Sequence, residues 1–155
     1  MGRSVCFDVG ERRIGVAISD ATATLARPVG VLNVRGLTDQ AVQAVADEVT
    51  RLTGDEDGVD TLVIGLPRRL DGSPNDMTPR VQAFAQQVGA RTGLPVVLQD
   101  ERLSSHEAES RLAVREKNWR TRKARLDAAA AAIILQDYLD TRPGRPVPLA
   151  DDAEF

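Results

Sequence analysis

The sequence predicts an α/β domain, a mixed five-stranded sheet flanked by helices on both sides. Three observations carry that expectation. Two β-type runs at the start of the chain are separated by a short polar, basic turn, in "VCFDVGERRIGVAISD". Amphipathic helical stretches then alternate with apolar runs of strand length. One of those runs, "DTLVIGLP", is continuously apolar, as in a strand covered on both faces.

The first two strands are expected over residues 4–9 and 14–19 as a hairpin, with Gly10 and Gly15 near its turn. In the first, Val5, Phe7 and Val9 share one face, and Ser4, Cys6 and Asp8 share the other. "VGVLNV" reads as a third strand over 29–34, entered through Pro28. A helix follows over 38–53, with Thr38 as N-cap and Val42, Val45, Val49 and Leu52 as its apolar stripe. The fourth strand is "DTLVIGLP", over 60–67. The polar loop "RRLDGSPND" leads to a helix over 77–91, with Val81, Phe84, Ala85 and Val88 inward. "LPVVLQDE" is the fifth strand, over 94–101. A helix over 104–114 capped by Ser104, a basic stretch, and a long helix over about 122–139 complete the domain. The last three strands are joined by helical crossovers, which suits parallel pairing. Residues 1–142 form one domain on this pattern, and the Pro-rich, acidic residues 143–155 form a loose tail.

Composition narrows the chemistry. A chain of 155 residues suits one domain with a sizeable core. The single cysteine, Cys6, excludes an internal disulfide and a cysteine-based zinc cluster, and reads as a small buried hydrophobe. No apolar run has transmembrane length and no secretory leader opens the chain, so a soluble cytoplasmic protein is expected. The formal net charge of −3 hides an uneven distribution. Residues 111–125, "RLAVREKNWRTRKAR", hold seven basic side chains against one acid, Glu116. Local sign matters more than total charge for binding a polyanion.

Four acids stand where a site would form. Asp8 lies inside a strand run, although Asp is a poor strand former and a buried carboxylate is costly without a partner. Asp100 and Glu101 close the fifth strand, and ligands of open α/β sheets collect beyond the carboxyl ends of strands. Asp127 lies in "KARLDAAAAAIILQDYL", a helix apolar or Ala on nearly every face, so little solvent surrounds it. Taken singly, each acid is more simply a turn, cap or solvated residue. Converging from strand, strand and helix, they would repel one another unless a cation intervened. Oxygen ligands of this kind suit Mg²⁺ or Mn²⁺, and such ions can clamp the attacking and leaving oxygens of a phosphodiester.

The stretches "FDVGERRIGVAISD", "ARPVGVL", "VIGLPRRLDGSPNDMTPRVQAFA", "LPVVLQDERLSS" and "KARLDAAAAAIILQDYL" resemble, in order, the motifs of the YqgF family of pre-16S rRNA nucleases. That family is RNase H-like and related to Holliday-junction resolvases. The resemblance covers about residues 5–139. It implies an RNase H-like fold, and Asp8, Glu101 and Asp127 as catalytic and metal-holding carboxylates with Mg²⁺ or Mn²⁺. Two departures stand out. Ala124 takes the place of the family's usual Gly, and Ala130 stands where resolvase sites often carry a fourth acid.

Around those acids, Arg12 and Arg13 on the first turn and Arg68 and Arg69 after the fourth strand are candidates for phosphate contact, with solvated turn positions as the simpler alternative for the first pair. Arg102 follows Glu101 and suits either substrate contact or a structural ion pair. Trp119, Arg120, Arg122 and Lys123 could combine base stacking with phosphate contact, or form an ordinary exposed basic helix. His106 is a weak candidate for a general base.

The functions in play are a metal-dependent nuclease that processes the 5′ end of the 16S rRNA precursor, a nuclease of branched DNA, and a non-catalytic RNA-binding assembly factor. A sugar-kinase or actin-like phosphotransferase is a fourth, because "DVGERRIGVA" also resembles a phosphate-binding hairpin. That fold needs a second domain to enclose its nucleotide, and this chain has no residues left for one. Expected partners are nucleic acid, RNA foremost, and the ribosome or its precursors, with the chain a monomer or homodimer.

Overall fold

The computed structural model describes residues 2–54, 57–101 and 119–141, with the side chains of 119–125 outside the description. Five strands form one sheet: β1 (Arg3–Val9), β2 (Arg13–Ser19), β3 (Ala26–Asn33), β4 (Val59–Leu66) and β5 (Val96–Asp100). The helices described are α1 (Asp39–Thr53), α2 (Met77–Thr92) and α3 (Trp119–Thr141). The sheet order is β3-β2-β1-β4-β5, which puts β1 in the centre. The expected helix over 104–114, with Ser104 and His106, and the tail over 143–155 lie outside the described residues. Among those described, no helix is long and apolar enough to cross a membrane.

The mixed sheet agrees with expectation, but its parallel set differs. Parallel pairing joins β1 to β4 and β4 to β5, while β3 is an antiparallel edge strand on β2. The β2–β3 hairpin occupies one side of β1, so the chain returning through α1 pairs on the other side. β3 also begins earlier than expected, at Ala26, and Pro28 lies inside it opposite Ala17. A register shift between Val16 and Ala17 accommodates Pro28 on an edge strand, where proline need not donate to a ladder.

Strand alternation divides the apolar residues between two cores. Val5, Phe7 and Val9 of β1, Ile14, Val16 and Ile18 of β2, and Leu62, Ile64 and Leu66 of β4 pack against Ala41, Val42, Val45 and Val49 of α1 and Val81, Phe84, Ala85 and Val88 of α2. The opposite face is smaller in its side chains. Cys6, Ala17 and Val63 meet Ala131, Ile134, Leu135 and Leu139 of α3. Small residues there let the helix lie close to the sheet, as the Ala-rich helix sequence anticipates. Thr38 caps α1 as expected, its hydroxyl accepting from the Ala41 N–H. At α2 the capping acceptor is the Asn75 side chain, which takes the N–H groups of Met77 and Thr78 at 2.9 and 3.1 Å. Gln136 of α3 accepts from the Ala26 N–H and donates to the Thr24 carbonyl, both at 2.9 Å, which pins the helix to the β2–β3 turn.

Candidate active site

Asp8 lies near the carboxyl end of β1, one residue from the last paired position, opposite Gly15 of β2. By alternation it faces α3, together with Cys6. Glu101 directly follows β5, and its N–H donates to the Leu66 carbonyl at 3.3 Å, which ties it to the carboxyl end of β4. Asp127 stands on the first half of α3. These three side chains, with Val9, Gly10, Arg13, Pro67 and Arg68, line one cleft of about 330 Å³. The sheet therefore brings together the acids expected to converge. A larger groove of about 520 Å³ between α2 and β5 is lined by Gln82, Gln86 and apolar residues and holds no titratable side chain.

Two glycines make the convergence possible. A Cβ on Gly15 would overlap the main-chain carbonyl of Asp127. The α3 backbone thus sits directly on β2 beside Asp8, and the hydrogen atom of Gly15 is what admits Asp127. The sequence places Gly15 near the hairpin turn; in the structure it makes this helix–sheet contact. A Cβ on Gly65 of β4 would lie 2.8 Å from Ile134 Cδ1 and 3.2 Å from the Glu101 carboxyl carbon. Gly65 opens the space that the Glu101 carboxylate fills. Sequence reasoning did not single it out, although a lone Gly inside an apolar strand run is a signal for close approach. Gly10 serves the turn itself, its N–H donating to the Arg13 carbonyl at 3.0 Å.

The acids differ in how their charge is compensated. Asp8 and Glu101 hydrogen-bond each other, and neither has a basic partner among the described residues. Burial raises the Asp8 carboxyl, the bond from Glu101 pulls it back, and the charge of Asp127 raises it again, to about 6. Burial, then the Asp8 charge and the bond to Asp8, push Glu101 further, to about 10. The two share a proton at neutral pH, with Glu101 donating to Asp8, and titrate as a pair. Asp127 accepts a charge-assisted hydrogen bond from Arg13, Nε to Oδ2 at 2.7 Å. Burial, with Asp8 and Glu101 adding to it, raises the Cys6 thiol well above its ordinary range, so it packs as a neutral side chain.

Among the described residues, no three His, Cys, Asp or Glu side chains stand in a metal-binding arrangement. The reason is visible in the pairing: Asp8 and Glu101 turn to each other, and Asp127 turns to Arg13. The chemistry nevertheless suits a hard cation. Asp8 and Glu101 are half-buried oxygen donors at the cleft, and their raised carboxyls retain a proton where a positive charge is wanted.

Of the remaining candidates, Arg12 is exposed on the β1–β2 turn. Arg13, a candidate for phosphate contact with a solvated turn position as the alternative, is bonded to Asp127. Arg68 and Arg69 are exposed on the loop after β4. Arg68 lines the cleft and donates to the Gly72 carbonyl at 3.1 Å, and the Arg69 N–H donates to the Ser73 carbonyl at 2.9 Å. Arg102 lies outside the described residues. Trp119, Arg120, Arg122 and Lys123 fall in the first turns of α3, upstream of Asp127, with their side chains outside the description.

Comparison with known proteins gives a consistent picture. A family model described as "RuvX: Holliday junction resolvase" matches residues 2–141. A protein of Burkholderia cenocepacia (strain HI2424) named pre-16S rRNA nuclease is 44% identical over 136 residues, 88% of this chain and 87% of that protein. One of the same name from Burkholderia multivorans is 43% identical over 137 residues, 88% and 87% of the two chains. Among solved structures, T. thermophilus RuvC in complex with a Holliday junction substrate aligns over 96% of this chain and 100% of its own, with 15% identity and a TM-score of 0.54. Fowlpox virus resolvase, in complex with Holliday junction DNA, aligns over 90% and 97%, with 14% identity and a TM-score of 0.55. The fold is that of these RNase H-like resolvases.

Proposed function

This chain belongs to the RuvX family, and from that premise we propose that it is a metal-dependent nuclease that hydrolyses phosphodiester bonds in RNA, at the 5′ end of the 16S rRNA precursor. One observation carries the assignment: Asp8, Glu101 and Asp127, from two strands and a helix, line a single cleft whose rim carries Arg13 and Arg68. A shared proton between half-buried carboxylates and a carboxylate held by arginine is the charge pattern expected of a cation site at rest. The relatives' name supplies the substrate class, and their 44% identity over most of both chains supports its transfer.

Asp8 and Glu101 would hold Mg²⁺ or Mn²⁺, with Asp127 joining them. Held there, such an ion would activate a water for attack and offset charge developing on the phosphodiester oxygens. Asp8 and Glu101 must release their shared proton for this, which couples ion binding to pH. Arg68 and Arg69 on the β4–α2 loop, Arg12 on the first turn, Arg102, and Trp119, Arg120, Arg122 and Lys123 on α3 are the proposed path of the nucleic-acid backbone. We place this activity in the cytoplasm, on the ribosome or its precursors, with the chain a monomer or homodimer.

A cleavage assay on 5′-extended 16S precursor RNA tests the assignment. Cutting should require Mg²⁺ or Mn²⁺, stop in excess chelator, and fail with Ca²⁺. Asp8→Asn should lower the rate by on the order of 10² or more while leaving RNA binding intact. Full activity in chelator, or from Asp8→Asn, would refute it. The family description favours one second reading, the cutting of four-way DNA junctions. A synthetic junction in the same assay, cut in preference to the RNA, would decide for that reading.

A further inference from the structure

Arg13 and Asp127 hold each other beside the acid pair, and that contact has a consequence for how the site would assemble. Their atoms meet at 2.7 Å, with side-chain exposures of 32% and 30%, so the pair is neither freely solvated nor sealed. Arg13 faces α3 from the start of β2, and the cleft it lines is also lined by Asp8 and Glu101. While Asp127 accepts from the guanidinium, the three acids do not form a metal-binding set. Arg68, the other arginine lining the cleft, donates to a loop carbonyl instead.

Carboxylate and phosphate present similar oxygen pairs to a guanidinium, so an arginine can exchange one for the other without losing charge-assisted bonds. We propose that Arg13 is a counter-ion switch, holding Asp127 off a divalent cation until a backbone phosphate of bound nucleic acid takes over the guanidinium. Asp127 then turns to the ion held by Asp8 and Glu101. This rests on the metal-dependent nuclease assignment above. Binding of the ion and of nucleic acid is then reciprocal, each tightening the other through one side chain. Without nucleic acid the site is kept from full assembly, which restrains cutting of anything not seated on Arg13.

Mn²⁺ titrations of the full chain by calorimetry test this, alone and with a nuclease-resistant 2′-O-methyl RNA. Arg13→Gln should bind Mn²⁺ on the order of 10-fold tighter than wild type without RNA, within the usual range of coupling between sites. Arg13→Ala, a truncation at a partly exposed position, should do the same. Arg12→Gln removes a charge from the same turn without a bond to Asp127, and should leave the affinity near wild type. In an Asp127→Asn background, Arg13→Gln should have no effect on affinity. The RNA should tighten Mn²⁺ binding more in wild type than in Arg13→Gln. The switch is overturned if Arg13→Gln binds no tighter than wild type, if Arg12→Gln tightens binding as much, or if RNA acts equally on both proteins. A wild type that binds no Mn²⁺, or an Asp8→Asn variant that binds it as well as wild type, removes the metal assignment and the switch together. Binding lost in Asp8→Asn but unchanged in Arg13→Gln removes the switch alone.

Discussion

Replacing Glu101 with Gln should raise the stability of the metal-free protein while abolishing its cleavage. The Glu101 carboxyl, ordinarily at 4.5, is pushed to about 10, mainly by burial and then by the Asp8 charge. In the unfolded chain at pH 7 it is ionised; in the folded chain it is protonated. Folding must therefore take up a proton, and the folded state binds more protons than the unfolded state above pH 4.5. That costs about 1.4 kcal/mol per pH unit from the ordinary value upwards, or about 3 kcal/mol at neutral pH as an upper figure. Gln has nearly the same shape, and its amide can donate to Asp8 as the protonated Glu does, without the uptake. A gain of about 1–3 kcal/mol should appear as a rise of several degrees in Tm in chelator, at roughly 2–4 °C per kcal/mol for a domain of this size. The sign with pH follows. The gap between variant and wild type should be absent near pH 4 and should open as pH rises towards neutrality. Excess Mn²⁺ should narrow or reverse it, because wild type gains from ion binding and the variant loses a ligand. The assay is a set of melting curves from pH 4 to 8, with chelator and with Mn²⁺. A variant that melts below wild type at pH 7 in chelator, or a gap that ignores pH, would refute the account of the Asp8–Glu101 pair.

Two further outcomes are expected. Gly15→Ala forces a methyl group into the Asp127 carbonyl, so it should destabilise the fold by about 1–3 kcal/mol or more and lower cleavage beyond what the lost stability explains, measured by denaturant melts and kinetics on the folded fraction. Neutralising Arg120, Arg122 and Lys123 together should weaken RNA binding regardless of sequence and flatten its salt dependence, read from the slope of log affinity against log salt. An unchanged slope would move the backbone path to Arg68 and Arg69, whose replacement should then produce the loss.

Much of this architecture was legible in the residues. Period-two alternation placed Val5, Phe7 and Val9 on one face of β1 and Cys6 and Asp8 on the other, and the two cores follow that division. The three acids and the carboxyl-end location of the cleft were legible too, because strand order and the Ala-rich helix constrain where they point. Partners across space were not. Alternation does not reveal which strand a crossover returns to, so β3 was grouped with the parallel strands although it pairs antiparallel at the far edge. Nor does it reveal that Arg13 would choose a carboxylate 114 residues away over solvent, a choice set by the depth to which α3 settles on Gly15. Gly65 carried a signal of close approach but not the identity of what approaches: its missing side chain makes room for Glu101 and Ile134, which come from other elements.

The seating of α3 on Gly15 also orders events in time. Asp8 and its β2 partner Gly15 lie in the first twenty residues, and the β5 terminus with Glu101 is complete by residue 101, but Asp127 comes from the last helix described. A chain emerging from a ribosome can build most of its sheet and the α1–α2 core while its third carboxylate is still to be synthesised. Among the described residues, α3 is the helix that covers the face carrying Cys6, Ala17 and Val63, and the same docking delivers Asp127. Closure of the second core and completion of the acid set are thus one step. The full carboxylate set cannot precede burial of that face, and a nascent or partly unfolded chain lacks it.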